Sequence, residues 1–153
     1  MPIGFLGPDT VASNKCFVVY DAQPWLFSLI QSRMHMAWLA SVGGRLETRF
    51  NYANTLVYNT FPVPELSGSD KANLASAALR VLEVREWFSE RTLAERYDPD
   101  KMPGVLREAH RRLDEAVDLL YDKQGFGSDD DRLTLLFEMY ERLTIPKQEP
   151  LSA

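Results

Sequence analysis

Between Pro103 and Tyr121 the apolar residues Leu106, Ala109, Leu113, Ala116, Val117 and Leu120 recur every three or four positions. That spacing puts them on one face of an α-helix, and a helix with one apolar stripe needs a surface to bury it against. The neighbouring segments offer such surfaces. Ser69 is placed to cap a helix carrying Leu74, Ala78, Val81, Leu82 and Phe88. Leu133, Leu136, Phe137, Tyr140 and Leu143 form a last stripe, which Pro146 ends. Its entry is the turn QGFGSDDD (124–131), where Ser128 and three aspartates suit the positive end of a helix. Between the stripes, Thr92 and Glu95 match a capping box for the short helix TLAERY, and DPDKMPG breaks the chain. Three amphipathic helices with short connections imply a small bundle, or helices laid on a larger body.

The composition changes near residue 65. Aromatic residues, Asn and Gly are frequent before it; Ala, Leu, Glu and Arg dominate after it. FPVPELSGSD (61–70) carries two prolines, a glycine and capping residues, and reads as a domain edge. In the first part KCFVVY (15–20) is β-branched and aromatic, which suits a buried strand. Pro24 opens a helix whose apolar residues Leu26, Ile30, Ala37 and Trp38 lead to Gly43-Gly44, a left-handed C-cap. RLETRFNY (45–52) alternates as a strand, with Leu46, Thr48 and Phe50 on one face and Arg45, Glu47 and Arg49 on the other. NTLVYNTF (54–61) is read as a strand or a strand-to-loop segment. The expected fold class is α+β and mostly helical, with short strands and one helix followed by a small helical bundle. The expected division is 1–65, 66–148 and a disordered tail at 149–153.

Apolar residues make up 45% of the chain, enough for a packed core. The lone Cys16 cannot close an internal disulfide, which fits a reducing compartment. No run of 18 apolar residues exists, and MPIGFLGPDT lacks the pattern of a secretory signal. The expected location is the cytoplasm, with no membrane contact. The net charge of −5 argues mildly against nucleic-acid binding, but its distribution is uneven. In residues 1–65, Lys15, Arg33, Arg45 and Arg49 balance Asp9, Asp21, Glu47 and Glu65. The remainder holds 13 of the 17 basic and 18 of the 22 acidic side chains. Any DNA contact is therefore expected in the first part.

Catalytic patterns are missing from the sequence. No lysine follows an acidic residue by two positions, as one half of a common nuclease metal site requires. There is no glycine-rich phosphate loop and no G-x-S-x-G elbow. No metal site is expected. His35 and His110 lie far apart in helical stretches; His35 reads as a partly buried helix residue and His110 as a helix-surface one. YNTFPVP (58–64) runs Asn59-Thr60-Phe61-Pro62, which does not match the Asn/Asp-Pro-Pro-aromatic loop of amino-methyltransferases. It reads as a structural turn, with Phe61 anchored in the core.

GGRLETRFNY is the more promising cluster. Strand residues two apart are separated by about 6.5–7 Å, close to the span of adjacent base edges. Arginine can donate twice to guanine and glutamate can accept from the cytosine amino group, so together they can read a C·G pair. The same three charges also fit an ordinary exposed ion pair of little consequence. Asn51, Tyr52, Asn54 and Tyr58 suit base or phosphate contacts, and equally turn positions.

The stretch SRMHMAWLASVGGRLETRFNYANTLVYNTFPVPE (32–65) resembles the end of the target-recognition domain in DNA methyltransferases of single-chain Type II restriction–modification enzymes. The group is the Type IIL, MmeI-like family with its related adenine-N6 methyltransferases. The family pattern is a Ser-x-Met-His-Met-x-Trp helix, a Gly-Arg-Leu strand and a Tyr-Asn-x-Phe-Pro exit. Here these are Ser32–Met36 with Trp38, Gly44–Phe50 and Tyr58–Pro62, with Phe50 in place of the usual tyrosine. ERYDPDKMP (95–103) and FGSDDDRLTLLFEMYERLT (126–144) extend the likeness, which covers most of residues 3–145. The resemblance implies that Glu47 and Arg49 specify one base pair, a role that Glu-x-Arg or Lys-x-Asp pairs fill in the family. It implies a chain in which nuclease, methyltransferase and recognition domains act together, with S-adenosylmethionine as donor and N6-methyladenine as product. The catalytic motifs themselves are not in this sequence, so the chain alone is expected to have no enzymatic activity. Arg33, Arg45 and Lys15 are then weaker phosphate candidates, and double-stranded DNA and the methyltransferase domain are the expected partners. The alternative is a helical docking module whose acidic half meets a protein partner.

Overall fold

The computed structural model describes residues 3–14, 16–46 and 49–145; of Arg45, Leu46 and Arg49 it describes the backbone. The elements are α1 Pro24–Gln31, α2 Arg33–Val42, β1 Gly44–Leu46, β2 Arg49–Asn51, α3 Gly68–Glu86, α4 Leu93–Arg96, α5 Gly104–Tyr121 and α6 Asp129–Thr144. The class is as expected: mostly helical, with short strands. Pro146 and the segment 149–153 lie outside the described residues.

Several local features differ from the sequence reading. The helix starting at Pro24 is two helices joined at Ser32, whose ψ of 160° is extended. The Ser32 hydroxyl accepts from the His35 N–H at 3.2 Å and donates to the Leu29 carbonyl at 2.6 Å. A serine that satisfies both helix ends competes with the through-going ladder and breaks it. Gly43 is not left-handed: its φ is −74° and its ψ is 148°. Its lack of a side chain serves close packing, because a Cβ there would run into the Leu39 carbonyl. RLETRFNY is not one strand but a hairpin, in which Arg45 pairs with Phe50 and Leu46 with Arg49, so Arg45 and Arg49 stand on different strands and do not share the single face expected for them. KCFVVY forms no strand over residues 16–20, and Phe17 and Tyr20 are exposed. A strand needs a neighbour for its ladder, and none of the described residues pairs with this run. NTLVYNTF is a succession of turns in which Val57 is fully buried.

In the helical part, α3 is capped by Ser67 rather than Ser69. Asp70 lies three residues beyond Ser67 and completes a reciprocal box, with Asp70 N–H to Ser67 Oγ at 3.1 Å and Ser67 N–H to Asp70 Oδ2 at 2.9 Å. Ser69 has Ala72 in that place and can form no box. The caps at Thr92 and Ser128 form as the sequence predicts. Gly125 turns the chain before α6 at φ +69°, where glycine alone is unstrained.

α3 packs between α1 and α5, while α6 packs mainly on α2. Leu74, Ala78 and Val81 of α3 meet Phe27 and Leu29 of α1 and Leu106, Leu113 and Val117 of α5 in one buried cluster. Trp38 of α2 reaches α6, with ring centroids 5.1 Å from Phe137 and 5.8 Å from Tyr140. Leu143, assigned to that stripe, is 70% exposed, because the last turn of α6 extends past its contact with α2. The composition change at residue 65 is no break in the core. Ser28 Oγ donates to the Leu74 carbonyl at 2.7 Å, and Tyr121 Oη to the Pro62 carbonyl at 2.8 Å.

Candidate nucleic-acid interface

The hairpin that carries the predicted reading residues stands on α2. The chain leaves α2 at Gly43, runs through β1, returns through β2 and meets the helix again at Tyr52. Tyr52 Oη lies 3.0 Å from Nε2 of His35, in the first turn of α2. His35 is fully buried, its ring edge-on to Phe61 with centroids 4.6 Å apart. Burial pushes its pKa down to about 4 and that of the Tyr52 phenol up to about 12. Both groups are therefore neutral near pH 7, and the contact is a neutral hydrogen bond.

The exit YNTFPVP is packed against the same helix, as a structural turn should be. Trp38 Nε1 donates to Thr60 Oγ1 at 3.2 Å, and Thr60 Oγ1 donates to the Leu56 carbonyl at 2.6 Å. Phe61 contacts Tyr121 as well as His35. Tyr121 also holds the Pro62 carbonyl, which fixes this loop on the helical part. The sequence carries no glycine-rich loop of the kind expected for S-adenosylmethionine.

Of the predicted contact residues, Glu47 and Lys15 lie outside the described residues, and Arg45 and Arg49 are fixed only as members of β1 and β2. Asn51 ends β2 and is exposed. Tyr52 is half-buried with its hydroxyl engaged by His35. Arg33 forms a bidentate pair with Asp129, Nε to Oδ1 at 2.8 Å and Nη2 to Oδ2 at 2.9 Å. Its backbone N–H donates to Asp114 Oδ1 at 2.7 Å, so a carboxylate from α5 caps α2 across 81 residues of sequence. Burial raises the pKa of Asp114 to about 6. A groove of about 390 Å³ lies beside this cluster, lined by Arg33, Met36, Asp114 and Asp129 with Phe50 at the hairpin side. Among the described residues no three His, Cys, Asp or Glu side chains converge as a metal site.

Two clusters had no counterpart in the sequence reading. Arg85, 4% exposed, donates through Nε to Tyr97 Oη at 2.6 Å and through Nη1 to the Ile3 carbonyl at 2.6 Å. Tyr97 Oη in turn meets His110 Nε2 at 2.8 Å. His110 is therefore half-buried rather than a surface residue, and burial lowers its pKa to about 4. Arg132 and Asp118 form a buried ion pair joining α6 to α5. An arginine in a helical pattern gives no hint that it is buried, and the partners come from distant segments.

The hairpin is seated on a short helix, and the helices that follow residue 67 share that helix's core. Residues 1–65 match the family described as "MmeI, target recognition domain", and residues 67–146 match "MmeI, C-terminal domain". The chain belongs to the MmeI family and comprises these two parts of it. DNA methyltransferase A of Bacillus subtilis (strain 168) is 44% identical over 144 residues, covering 94% of this chain and 16% of the relative. A solved structure of the Type IIL restriction-modification enzyme MmeI in complex with DNA matches with a TM-score of 0.77 at 40% identity. That match covers 81% of this chain and 17% of the enzyme's. The chain thus spans about a sixth of the length of either relative. Among the described residues no helix is long and apolar enough to cross a membrane.

Proposed function

We propose that this chain selects the DNA site for adenine-N6 methylation, with S-adenosylmethionine bound and the methyl group transferred by domains outside it. The hairpin of β1 and β2 is the reading element. Glu47 and Arg49 read one base pair in the major groove, Arg accepting no proton and donating twice to guanine, Glu accepting from cytosine. Arg45, Lys15 and Asn51 serve the DNA backbone beside them. The helices from α3 onward brace the hairpin's platform and carry no chemistry. The reading places the protein in the cytoplasm with its substrate, double-stranded DNA.

The observation that carries this reading is the hairpin itself: β1 and β2 pair antiparallel as a short two-stranded ribbon, with Leu46 opposite Arg49. A two-stranded ribbon is narrow enough to enter the major groove. The test is the double exchange Glu47→Lys with Arg49→Asp in the full-length polypeptide that carries this chain. The preferred base should change at one position of the site. Unaltered preference with activity retained overturns the assignment.

A further inference from the structure

We propose that His35 is a positioning residue for DNA reading, holding the hairpin in register on α2 through Tyr52. The inference rests on the reading of Glu47 and Arg49 given above.

Two attachments of the hairpin to α2 stand out among the described residues. One is covalent, at Gly43, where the helix ends. The other is the Tyr52 hydroxyl on His35, eight positions back along the same helix. Asn51 pairs with Gly44, so Tyr52 is the first residue beyond the ladder on the return side. Strands of three residues fix little by themselves, since an isolated two-stranded ribbon is marginal in water. The second attachment therefore helps to set how the ribbon leans from the helix.

His35 is suited to that work. Its own N–H is capped by Ser32, and its ring is wedged against Phe61, so the imidazole has a defined position. It has no exposed surface with which to touch DNA. Its Nδ1 has no partner, so the hydrogen bond to Tyr52 is the ring's one polar contact. A buried imidazole with an unsatisfied nitrogen is costly where core filling alone is needed, because an apolar side chain would fill the space without that cost. The contact to Tyr52 is what the polar ring adds. Either tautomer can make it, because the phenol both donates and accepts.

The test compares His35→Leu, His35→Gln and Tyr52→Phe in the full-length polypeptide. Methylation kcat/KM is measured on the preferred site, on a site altered at the pair read by Glu47 and Arg49, and on one altered elsewhere. Thermal midpoints are recorded in parallel. His35→Leu and Tyr52→Phe should reduce discrimination at the hairpin's base pair by about three- to tenfold, the worth of one hydrogen bond, and leave the other position unchanged. His35→Gln should restore it, because the glutamine amide reaches the place of Nε2. Loss spread equally over all sites and tracking the thermal midpoint overturns the proposal, as does undiminished discrimination. If His35→Leu fails to fold, Tyr52→Phe, which removes one oxygen, decides the matter. The Glu47→Lys, Arg49→Asp exchange is run alongside. A changed base preference there with intact discrimination in Tyr52→Phe removes the positioning role and keeps the reading. An unchanged preference removes the reading itself.

Discussion

The protein contains two imidazole–phenol pairs of similar geometry in different surroundings. Under the hairpin, His35 Nε2 meets Tyr52 Oη at 3.0 Å; among the C-terminal helices, His110 Nε2 meets Tyr97 Oη at 2.8 Å. Both imidazoles are held neutral by burial, with pKa values pushed down to about 4. The difference is Arg85. Its Nε–H donates to Tyr97 Oη, so that phenol is shared between a guanidinium and His110 Nε2. Arg85 also binds the Ile3 carbonyl and lies 5.3 Å from the centre of the Phe27 ring. The second pair is thus tied by a guanidinium into a junction of three segments, whereas the first has ring contacts beside its one hydrogen bond. The C-terminal pair is anchored by a buried charge; the pair under the hairpin is set among the aromatic rings of Phe17 and Phe61.

The widest separation between the regions should appear when a buried charge is left alone. Asp118 is 6% exposed and Arg132 8% exposed, with Arg132 Nε to Asp118 Oδ1 at 3.0 Å. Arg132→Met strands the carboxylate away from water and should cost about 3–5 kcal/mol of stability, read as a lowered denaturant midpoint. Arg132→Met with Asp118→Leu should recover most of it. No substitution under the hairpin should approach this value, and one that did would erase the contrast.

Acid should weaken both pairs. Each imidazole is neutral in the fold, while the unfolded chain gains a proton below its ordinary pKa of 6.5. Their stabilising contribution is full above that pH and lost as the pH falls toward about 4. Asp114 works the other way: its carboxyl keeps its proton up to about pH 6, so its contribution is lost as the pH rises through that value. The two histidines, together with Asp70, Glu95, Glu108 and Asp129, whose hydrogen bonds hold them below the usual carboxylate range, outweigh Asp114 and leave a net loss on acidification. For His35 the loss is on the order of 1–3 kcal/mol. Thermal midpoints between pH 7 and pH 4 should fall less in His35→Gln than in the unaltered protein. Parallel slopes would show that His35 is not the source.

Removing one hydroxyl at a time sharpens the comparison at smaller scale. Tyr97→Phe strips a partner from both a buried arginine and a histidine, and should cost about 1.5–3 kcal/mol, the range for hydrogen bonds to charged groups. Tyr52→Phe breaks one neutral bond and should cost about 0.5–1.5 kcal/mol. Chemical denaturation of the two variants checks the order, and equal losses would place both pairs in the same class.

The contrast also explains how much of the molecule was legible. Leu106, Ala109, Leu113 and Val117 are buried as their period demands, and the caps at Thr92 and Ser128 are where local chemistry puts them. Helices are specified by neighbours three and four positions apart, so sequence displays them. The first 65 residues depend on distant partners. Ser32 reads as one more polar helix residue until its hydroxyl is seen closing two helices. Alternation in RLETRFNY suggests one strand with Leu46 and Phe50 on a common face, whereas the observed register sets Phe50 opposite Arg45 and Leu46 opposite Arg49, a pairing that the alternation does not display. Phe17 and Val18 have the composition of a strand without a partner among the described residues. In the candidate site, the hairpin segment and its charges were visible in advance. The seat provided by His35 was not, since a histidine in a helix declares neither its burial nor the tyrosine it will meet.

The smallest expected effect concerns Arg33, where the two regions touch at the surface. Its pair with Asp129 is exposed, 60% and 40% for the two side chains, so Arg33→Ala should change stability by no more than about 1 kcal/mol. Its effect on DNA is more informative. The bidentate carboxylate occupies the donors that a phosphate would use. If Arg33 turns from Asp129 to DNA, Asp129→Asn should strengthen binding by the full-length polypeptide, and Arg33→Ala should lower the salt slope by about one contact. If the pair is a fixed brace between α2 and α6, neither substitution should alter the slope. A salt series on the two variants separates the outcomes, because the slope counts phosphate contacts whether or not stability has moved.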